Sequence, residues 1–216
     1  YPLVLNVLPK KRISTKPLEE FPTVTVCIPA FNEEDVIRET ILNKLEQNYP
    51  KDKVQIIVIS DESEDNTDDI VLKLAEVHTN IELIRQVPRK GKTSGLNLAF
   101  EQIKTDLIVF SDANSLYDDD ALLEIATAFT DGDVGYVTGK MVYVNADGSM
   151  VGDGCSAYMK YENHMRSLES AIGSVVGVDG GIDAIRTELF SKLNADQLPD
   201  FVQPLKVVEQ GKRVVY

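Results

Sequence analysis

The stretch DLIVFSDANSLYDDD, residues 106–120, decides the predicted fold. Its apolar run, Leu107 to Phe110 followed by Ser111, stops abruptly at Asp112-Ala113-Asn114. A short apolar run that ends at an acidic turn predicts a buried strand whose last side chains emerge at a sheet edge. Open α/β sheets bind their ligands at that edge, outside the carboxyl ends of the strands. The stretch therefore predicts a ligand site directly after this strand.

Asp112 and Asn114 are the candidate ligand-binding pair of this stretch. They are two residues apart, so in extended backbone both side chains would point the same way. Their hard oxygen donors suit Mg²⁺ or Mn²⁺ carrying a phosphorylated substrate. A plain turn, in which both side chains bond their own backbone, explains the same residues. The spacing alone leaves both interpretations open.

Outward from this strand, apolar runs alternate with helical periodicity. The sequence predicts strands over 24–29, 55–60, 81–85 and 107–111, followed in turn by helices over 34–47, 65–77, 93–103 and 119–129. In the second helix, Ile70, Leu74 and Val77 are expected to form the buried stripe. Four strand–helix alternations predict an α/β fold: a mainly parallel, Rossmann-like central sheet flanked by helices, in a single domain.

The pattern changes after Thr130. The sequence predicts one long strand over 134–144, a helix over 155–170, a glycine-rich strand over 174–186, and a last helix and strand between 200 and 216. We therefore divide the chain into an N-terminal arm (1–22), a nucleotide-type half (23–130) and a second half of the same domain (131–216). Because the chain stops in mid-strand, we expect its C-terminal end to be a boundary within a longer protein.

Composition restricts the partners of the chain. Its 216 residues contain 22 Lys and Arg against 35 Asp and Glu, for a net charge of −13. A nucleic-acid footprint requires a basic stripe, so we expect no nucleic-acid partner. No apolar stretch approaches the roughly 18 residues that span a bilayer, and nothing resembles a signal peptide. A phosphorylated ligand must therefore be held locally, by a cation and a few placed basic residues.

The two cysteines indicate a reducing compartment. Cys27 and Cys155 are far apart in sequence, and Cys27 lies inside a predicted strand. Such residues are more often buried free thiols than a disulfide, which favours a cytoplasmic location.

Four loops are predicted at the carboxyl edge of the sheet. The first, 29–34, replaces the glycine-rich turn of a dinucleotide fold, so hydride chemistry is disfavoured; capping of the next helix explains Asn32 and Glu33 equally well. In the second, Asp61 follows a parallel strand, a position that commonly accepts from a base or ribose. The third, 89–93, opens a helix with basic residues; Lys92 could hold an anion, or the loop is a solvated charged turn. The fourth is Asp112-Ala113-Asn114.

Together these loops resemble the family-two glycosyltransferases of the GT-A fold. The motifs PAFNEE, ISDESEDNT, RKGKTSGLN and FSDANS occur in that family's order and spacing. The later segment VDGGIDAIR is similar to the family's glycine-rich acceptor-side segment, and LPDFVQPLKVVEQGKRVVY resembles its catalytic block. The resemblance covers residues 22–216, nearly the whole chain.

The resemblance implies a role for each matching residue. In the nucleotide-sugar-binding half, 23–130, the implied substrate contacts are Pro29, Ala30, Asn32, Glu33, Asp61, Lys92, Asn97 and Asp112. In the acceptor and catalytic half, 131–216, they are Gly180 and Gly181. Asp112 and Asn114 would hold a Mg or Mn divalent cation at the diphosphate. Asp200 would be the catalytic base; an ordinary helix N-cap is its structural alternative.

The chain departs from the family pattern at three points. Asn114 stands where the family more often has Asp, which removes one negative charge from the metal motif. Pro199 stands where a Glu usually precedes the catalytic Asp. The chain has no Trp and therefore lacks the Gln-x-x-Arg-Trp motif of processive members.

The resemblance implies an inverting glycosyltransferase that moves a sugar from a nucleoside diphosphate donor, most readily a UDP-sugar, to a hydroxyl of a carbohydrate or lipid-linked acceptor. Two alternatives remain: a nucleotide-binding module without turnover, and a sugar-1-phosphate nucleotidyltransferase, which would require a glycine-rich, Arg-containing first loop. Similar proteins also imply association with the cytoplasmic face of a membrane, through segments outside this chain.

Overall fold

The computed structural model describes residues 2–142, 153–175 and 177–216. The helices and strands below are numbered in chain order. The helices are α1 (Pro2–Val7), α2 (Ile37–Glu46), α3 (Thr67–Ala75), α4 (Lys92–Phe100), α5 (Ala121–Ala128), α6 (Asp153–Ile172) and α7 (Pro199–Glu209). The strands are β1 (Val24–Ala30), β2 (Val54–Ser60), β3 (Ile81–Arg85), β4 (Leu107–Ser111), β5 (Val134–Thr138), β6 (Ile182–Arg186) and β7 (Arg213–Val215).

All seven described strands form one sheet in the order β3-β2-β1-β4-β6-β5-β7. The pairs β2–β3, β1–β2, β1–β4 and β5–β7 are parallel. Strand β6 runs antiparallel to both of its neighbours, β4 and β5. The prediction of a single, mainly parallel α/β sheet is confirmed, with one reversed strand that makes the sheet mixed.

The core occupies both faces of the sheet, because successive side chains of a strand point to opposite sides. On β1, Val26 and Ile28 belong to one buried cluster, whereas Cys27 belongs to the other. Cys27 is a free, buried thiol, and burial raises its pKa to about 12. The side chain of Cys155 lies outside the described residues, so the prediction of two free thiols is borne out for Cys27 only.

Three predicted elements differ from the structure. Helix α3 ends at Ala75, so Val77 lies beyond it and is 74% exposed, and Val71 takes the buried position instead. Strand β5 ends at Thr138, whereas the prediction continued to residue 144, of which 143 and 144 lie outside the described residues. The glycine-rich segment is a strand only from Ile182, and the chain bends before it at Gly180, which has a φ of 77°.

The N-terminal arm packs on the domain. Leu5 of α1 is buried against Met165 and Leu168 of α6. Further along the arm, the Ser14 amide donates to Asp131, and Phe21 packs edge-on against Tyr49 at 5.3 Å between ring centroids. Among the described residues, no helix is both long and apolar enough to span a bilayer.

Candidate active site

The candidate site lies at the carboxyl edge of the parallel strands. Ala30 at the end of β1 is in register with Ser60 at the end of β2, and β4 is the other neighbour of β1. The loops that follow these three strands therefore emerge side by side. Strand direction and register thus bring together motifs that lie far apart in sequence.

Lys92 joins two of these motifs. Its Nζ lies 3.2 Å from Asp112 Oδ1 and 3.1 Å from Asp200 Oδ2. The three side chains are partly exposed, at 28% for Lys92, 42% for Asp112 and 34% for Asp200. The partly exposed ammonium group of Lys92 therefore bonds both Asp112, the residue predicted at the diphosphate, and Asp200, the predicted base.

The charge of Lys92 is held by its two partners. Burial acts to lower the pKa of Lys92, but the negative charges of Asp200 and Asp112 and their hydrogen bonds outweigh it. The net pKa is above the usual value of a lysine, so the side chain is an ammonium ion at neutral pH. A fixed positive charge at this edge is a suitable partner for a phosphate.

Asp61 fixes the loop that carries Lys92. It accepts hydrogen bonds from the backbone amides of Lys90 and Gly91, both at 2.9 Å, and from the Gln86 side chain. Burial acts to raise the pKa of Asp61, but these hydrogen bonds and the charge of Arg89 outweigh it, so its net pKa lies below the usual range. Asp61 is thus occupied in holding the basic loop, and its predicted contact with a base stays a prediction.

The first loop is bonded to the second. The Asn32 amide donates to Ser63 Oγ at 3.1 Å, and Asn32 Oδ1 accepts from the Glu64 amide at 2.8 Å. Asn32 has a positive φ of 55°, a conformation that Asn tolerates better than most residues. The Glu33 amide donates to Thr67 Oγ1 at 2.8 Å. These bonds give the first loop one defined shape beside the site.

Glu33 lies in the first loop, which follows Pro29 and Ala30 at the end of β1. Burial raises the pKa of Glu33, and the negative charges of Asp65 and Asp112 raise it further. Glu33 therefore lies close enough to Asp112 to sense its charge. Ala30 is buried and Pro29 is half-buried at the end of β1, and the substrate contacts predicted for both stay predictions.

Helix α2 holds the loop that carries Asp112 and Asn114. Thr40 Oγ1 donates to the Ala113 carbonyl at 2.6 Å, and Lys44 Nζ donates to the Ser115 carbonyl. Asn43 bonds Tyr117 twice, accepting from its amide at 2.8 Å and donating to its carbonyl at 2.9 Å. The side chains at 40, 43 and 44 lie on one face of the helix. One helix face thus holds three carbonyls of the candidate metal loop and the segment after it, those of Ala113, Ser115 and Tyr117.

Among the α2 residues that bond the Asp112 loop, Lys44 is unusual because it is a buried lysine. It is only 1% exposed, and its Nζ lies 3.5 Å from the centroid of the Tyr117 ring. Burial lowers the pKa of Lys44 to about 7. The sequence analysis missed Lys44, although the polar residues Thr40, Asn43, Lys44 and Gln47 recur at helical spacing and were a visible signal.

The Asp112 loop is a turn and not the extended segment that the spacing suggested. The Ser115 amide bonds the Asp112 carbonyl at 3.2 Å, and Asn114 is exposed. The argument that both side chains point the same way because the backbone is extended is therefore wrong. Among the described residues, no group of three His, Cys, Asp or Glu side chains could hold a metal ion.

The donor set of this loop nevertheless fits a hard cation that arrives with its ligand. Asp112 and Asn114 offer carboxylate and amide oxygens at the accessible edge. Mg²⁺ is commonly bound by one or two carboxylates, with substrate phosphates supplying further ligands. The residues therefore suit a cation shared with a diphosphate better than a cation held by the protein alone.

Asp200 is placed by contacts of α7 with the rest of the site. Gln203, about one helical turn after Asp200 and buried, donates to the Ser191 carbonyl and accepts from its amide. Before the helix, the Gln197 carbonyl accepts from Thr93 Oγ1 at 2.7 Å. Pro199 occupies the first helical turn, where its missing amide hydrogen costs nothing. The substitution of Pro for the family's Glu thus suits the start of this helix.

The backbone at Gly180 and Gly181 packs closely against the candidate site. Gly180 has a φ of 77°, and a Cβ added there would lie 2.7 Å from Asp200 Oδ2. A Cβ on Gly181 would lie 2.7 Å from Met141 Sδ and 3.2 Å from Ser115 Oγ. The glycines therefore permit close packing beside Asp200 and the Asp112 loop; their contact with a substrate stays a prediction.

Asn97 is engaged away from the Lys92 cluster. Its Nδ2 donates to the Leu193 carbonyl at 2.7 Å, and its Oδ1 accepts from the Leu193 amide at 3.1 Å. The side chain therefore joins α4 to the segment before α7. Its predicted contact with a substrate stays a prediction, and the structure gives the residue a role in packing.

Comparison with protein families agrees with this arrangement. The family model "Glycosyl transferase family 2" matches residues 25–193, most of the chain. The chain belongs to this family. The family 2 match includes the loops after β1, β2 and β4 and ends before Asp200. The resemblance inferred from the motifs is confirmed.

Two curated relatives match part of the chain, one named as a probable glycosyltransferase and one as a synthase. The probable glycosyltransferase YdaM of Bacillus subtilis (strain 168) is 38% identical over 143 residues, 64% of this chain and 33% of YdaM. The poly-beta-1,6-N-acetyl-D-glucosamine synthase of Staphylococcus aureus (strain MSSA476) is 33% identical over 123 residues, 56% of this chain and 29% of that protein. This family 2 chain thus spans about a third of the length of these relatives.

Solved structures of glycosyltransferases share the fold. The mannosyltransferase PcManGT from Pyrobaculum calidifontis, in complex with GDP-Man and Mn²⁺, aligns with a TM-score of 0.82 at 26% identity, over 99% of this chain and 59% of that chain. GalNAc-T7 with UDP, GalNAc and Mn²⁺ aligns with a TM-score of 0.69 at 13% identity, over 90% of this chain and 41% of that chain. The GT-A fold prediction is confirmed.

Proposed function

We propose that this chain is the catalytic unit of an inverting glycosyltransferase. It transfers a sugar from a nucleoside diphosphate donor to a hydroxyl acceptor, with Asp200 as general base and with Asp112 and Asn114 beside the diphosphate. The observation that carries the proposal is the position of Lys92, within 3.2 Å of Asp112 and 3.1 Å of Asp200. The Lys92 ammonium thus joins the residue proposed at the diphosphate to the proposed base.

Asp200 suits the acceptor side of the reaction. Its side chain is partly exposed and lies at the start of α7, facing Lys92. In a single displacement, the acceptor oxygen bonds to the anomeric carbon as the bond from that carbon to the diphosphate oxygen breaks on the opposite face. The acceptor proton passes to Asp200. A positioned base contributes about 10²–10⁴ in rate, and one displacement inverts the anomeric centre.

Lys92 and the Asp112 loop suit the donor side. The Lys92 ammonium lies at the start of α4, directly after the loop that Asp61 holds, and could donate to a phosphate oxygen. Asp112 and Asn114 would hold a Mg²⁺ or Mn²⁺ ion shared with the diphosphate. When bound, such a cation neutralises charge on a departing nucleoside diphosphate. Gly91, directly before α4, has a φ of 85°, and this backbone conformation places the start of α4 beside the proposed diphosphate position.

The donor is proposed to be a UDP-sugar, as the resemblance of the motifs implies. The mannosyltransferase of similar fold was solved with GDP-Man and Mn²⁺, which makes a GDP-sugar the informative comparison. The acceptor is proposed to be a carbohydrate or a lipid-linked hydroxyl. A location in the cytoplasm, at a membrane face through segments outside this chain, is part of the same proposal.

Two other functions are less well supported. A sugar-1-phosphate nucleotidyltransferase would require a glycine-rich first loop, and this chain has Pro29-Ala30-Phe31-Asn32 there. A nucleotide-binding module without turnover would require only the donor side. The ion pair between Asp200 and Lys92 favours an enzyme. A protein that only bound the nucleotide would need no general base beside the diphosphate.

Release of nucleoside diphosphate tests the proposal. The protein is incubated with UDP-sugars and GDP-sugars, with Mn²⁺ or with EDTA, and with simple sugar acceptors or lipid-linked ones. Mn²⁺-dependent release of UDP or GDP that requires an acceptor supports transfer. Mn²⁺-dependent binding of UDP without any release would instead identify a binding module.

A further inference from the structure

The turn at Gly180 lies between two carboxyl groups. On one side, a Cβ on Gly180 would lie 2.7 Å from Asp200 Oδ2, so the backbone of this turn packs directly on the proposed base. On the other side, the Gly180 amide donates to Asp183 Oδ2 at 3.0 Å. One backbone turn is thus the layer between Asp200 and Asp183.

Asp183 is fully buried in the reversed strand β6. It is 0% exposed and stands opposite Phe110 of β4 and Thr138 of β5. The hydroxyls of Tyr136 and Thr138 lie beside its carboxyl group. Neither hydroxyl oxygen, nor Asp183 Oδ1, has a hydrogen-bond partner of regular geometry among the described residues. A carboxyl group in such a position is costly unless it carries a proton or has a function.

The two carboxyl groups are electrostatically coupled. Burial raises the pKa of Asp183, the Thr138 and Tyr136 hydroxyls and the Gly180 amide act to lower it, and the negative charge of Asp200 raises it, to about 7. The Gly180 amide bond to Asp183 Oδ2 and the packing of Gly180 on Asp200 give this coupling a structural basis.

We propose that Asp183 is a positioning residue for the proposed base: it holds the Gly180 turn against Asp200, and its negative charge, once it is ionised, favours transfer of the acceptor proton to Asp200. This inference rests on the proposed function, in which Asp200 accepts the acceptor proton. Asp183 has no exposed surface and touches no substrate. It acts on the reaction through Gly180 and through charge.

The charged and titratable groups around Asp183 are few. Asp200 approaches from α7 and Tyr136 from β5, and Tyr117, in the segment after β4, senses the charge of Asp183. The burial of Tyr136 and Tyr117 raises the pKa of both, so neither ionises near neutral pH. Lys92 faces Asp200 from α4. Near neutral pH, ionisation of Asp183 therefore changes the negative charge beside Asp200.

A purely structural role makes a different prediction. An asparagine at 183 keeps the size of the side chain and an oxygen for the Gly180 amide, but it removes the charge. A structural residue would therefore be replaced by Asp183→Asn without consequence. A leucine at 183 is larger than aspartate, carries no charge and leaves the Gly180 amide without an acceptor, so Asp183→Leu tests the hydrogen bond.

Titration of the carboxyl carbons by ¹³C NMR tests the coupling without turnover. Asp183 is expected to titrate near neutral pH in the parent protein and at a pH lower by about one unit in Asp200→Asn, because the like charge is gone. An Asp183 titration that is unchanged in Asp200→Asn would overturn the inference. This readout does not require that the protein transfers sugar, so its failure is distinct from failure of the proposed function.

The pH dependence of transfer tests the consequence. In the parent, kcat is expected to rise through an inflection near neutral pH; in Asp183→Asn this inflection is absent, while nucleoside diphosphate affinity is unchanged. Asp183→Leu is expected to lower kcat tenfold or more, again without loss of donor affinity. If Asp183→Leu does not fold, Asp183→Asn decides. An Asp183→Asn variant with the parent pH profile contradicts the inference.

Discussion

Lys92 on the first turn of α4 donates to Asp200 on the first turn of α7, with 3.1 Å between Nζ and Oδ2, although the residues are 108 positions apart. The same ammonium bonds Asp112. This relationship brings separate sequence motifs into one site, because it joins the proposed donor side to the proposed acceptor side. The predictions below test the two sides separately.

Asp112→Ala is expected to abolish metal-dependent binding of nucleoside diphosphate, because it removes the only carboxylate that the proposed cation site takes from the protein. Calorimetric titration with UDP and GDP, in Mn²⁺ and in EDTA, measures the effect. Asp118→Ala, at an exposed acidic residue of the same segment, is the matched control. Unchanged affinity in Mn²⁺ for Asp112→Ala would remove the proposed site.

Lys92→Met is expected to weaken donor affinity roughly ten- to a hundredfold, because a charge-assisted hydrogen bond is worth about 1.5–3 kcal/mol. It also leaves Asp112 and Asp200 without their shared cation. Lys90→Met is the control, since Lys90 is exposed and its backbone amide, not its side chain, bonds Asp61. Equal donor affinities for the two variants would show that Lys92 does not contact the diphosphate.

Gly180→Ala is expected to lower transfer strongly while donor affinity is kept, because the new Cβ would displace the Asp200 carboxylate. Gly211→Ala is the matched control: its φ of 78° gives the same backbone strain, about 1 kcal/mol, but nothing lies within 4 Å of the added Cβ. Both variants should lose similar thermal stability, and only Gly180→Ala should lose turnover. Full turnover in Gly180→Ala would contradict the placement of the base.

Lys44→Met is expected to change how stability depends on pH. Burial lowers the pKa of Lys44 to about 7, whereas an unfolded lysine titrates near 10.4. Between these values the unfolded chain binds a proton that the folded chain lacks, so this residue's contribution to the unfolding free energy rises with pH. From pH 7 to pH 9, the parent should gain about 1–3 kcal/mol relative to Lys44→Met.

Urea denaturation at the two pH values measures this difference, with Lys73→Met, at an exposed lysine of α3, as the control. Lys44→Met should also weaken Mn²⁺-dependent donor binding, because the Ser115 carbonyl loses its donor and the Asp112 loop loosens. Parallel pH dependence in the parent and Lys44→Met would show that Lys44 titrates like a surface lysine.

The sequence predicted the parallel half of the fold closely, because each strand there is a continuous apolar run with polar residues at its end. Strand β4 has the predicted bounds, Leu107–Ser111, and β3 has Ile81–Arg85. Reversal of β6 could not be predicted, since strand direction depends on long-range pairing and not on periodicity. The sequence did not predict that Val77 is exposed, because the residue at which a helix ends is only weakly determined by the sequence.

The candidate site was predicted as a set of residues but not as a set of contacts. Motif order placed Asp61, Lys92, Asp112 and Asp200 at one edge, as the structure has them. It did not predict that Asp61 is used to hold the Lys92 loop, because that bond depends on loop geometry. The signal for Asp183 in the sequence was a carboxylate within the strand IDAIR. Its importance could be recognised only from the complete burial of the side chain in the structure.

Asp200→Asn tests the central claim most directly, because it replaces one oxygen of the proposed base by nitrogen and leaves the donor side intact. The measurement is the rate of acceptor-dependent nucleoside diphosphate release, alongside donor affinity in Mn²⁺, for the parent and the variant. We predict a fall in rate of about 10²–10⁴, with donor affinity essentially unchanged. Near-parent transfer by Asp200→Asn would contradict the account and place the base elsewhere.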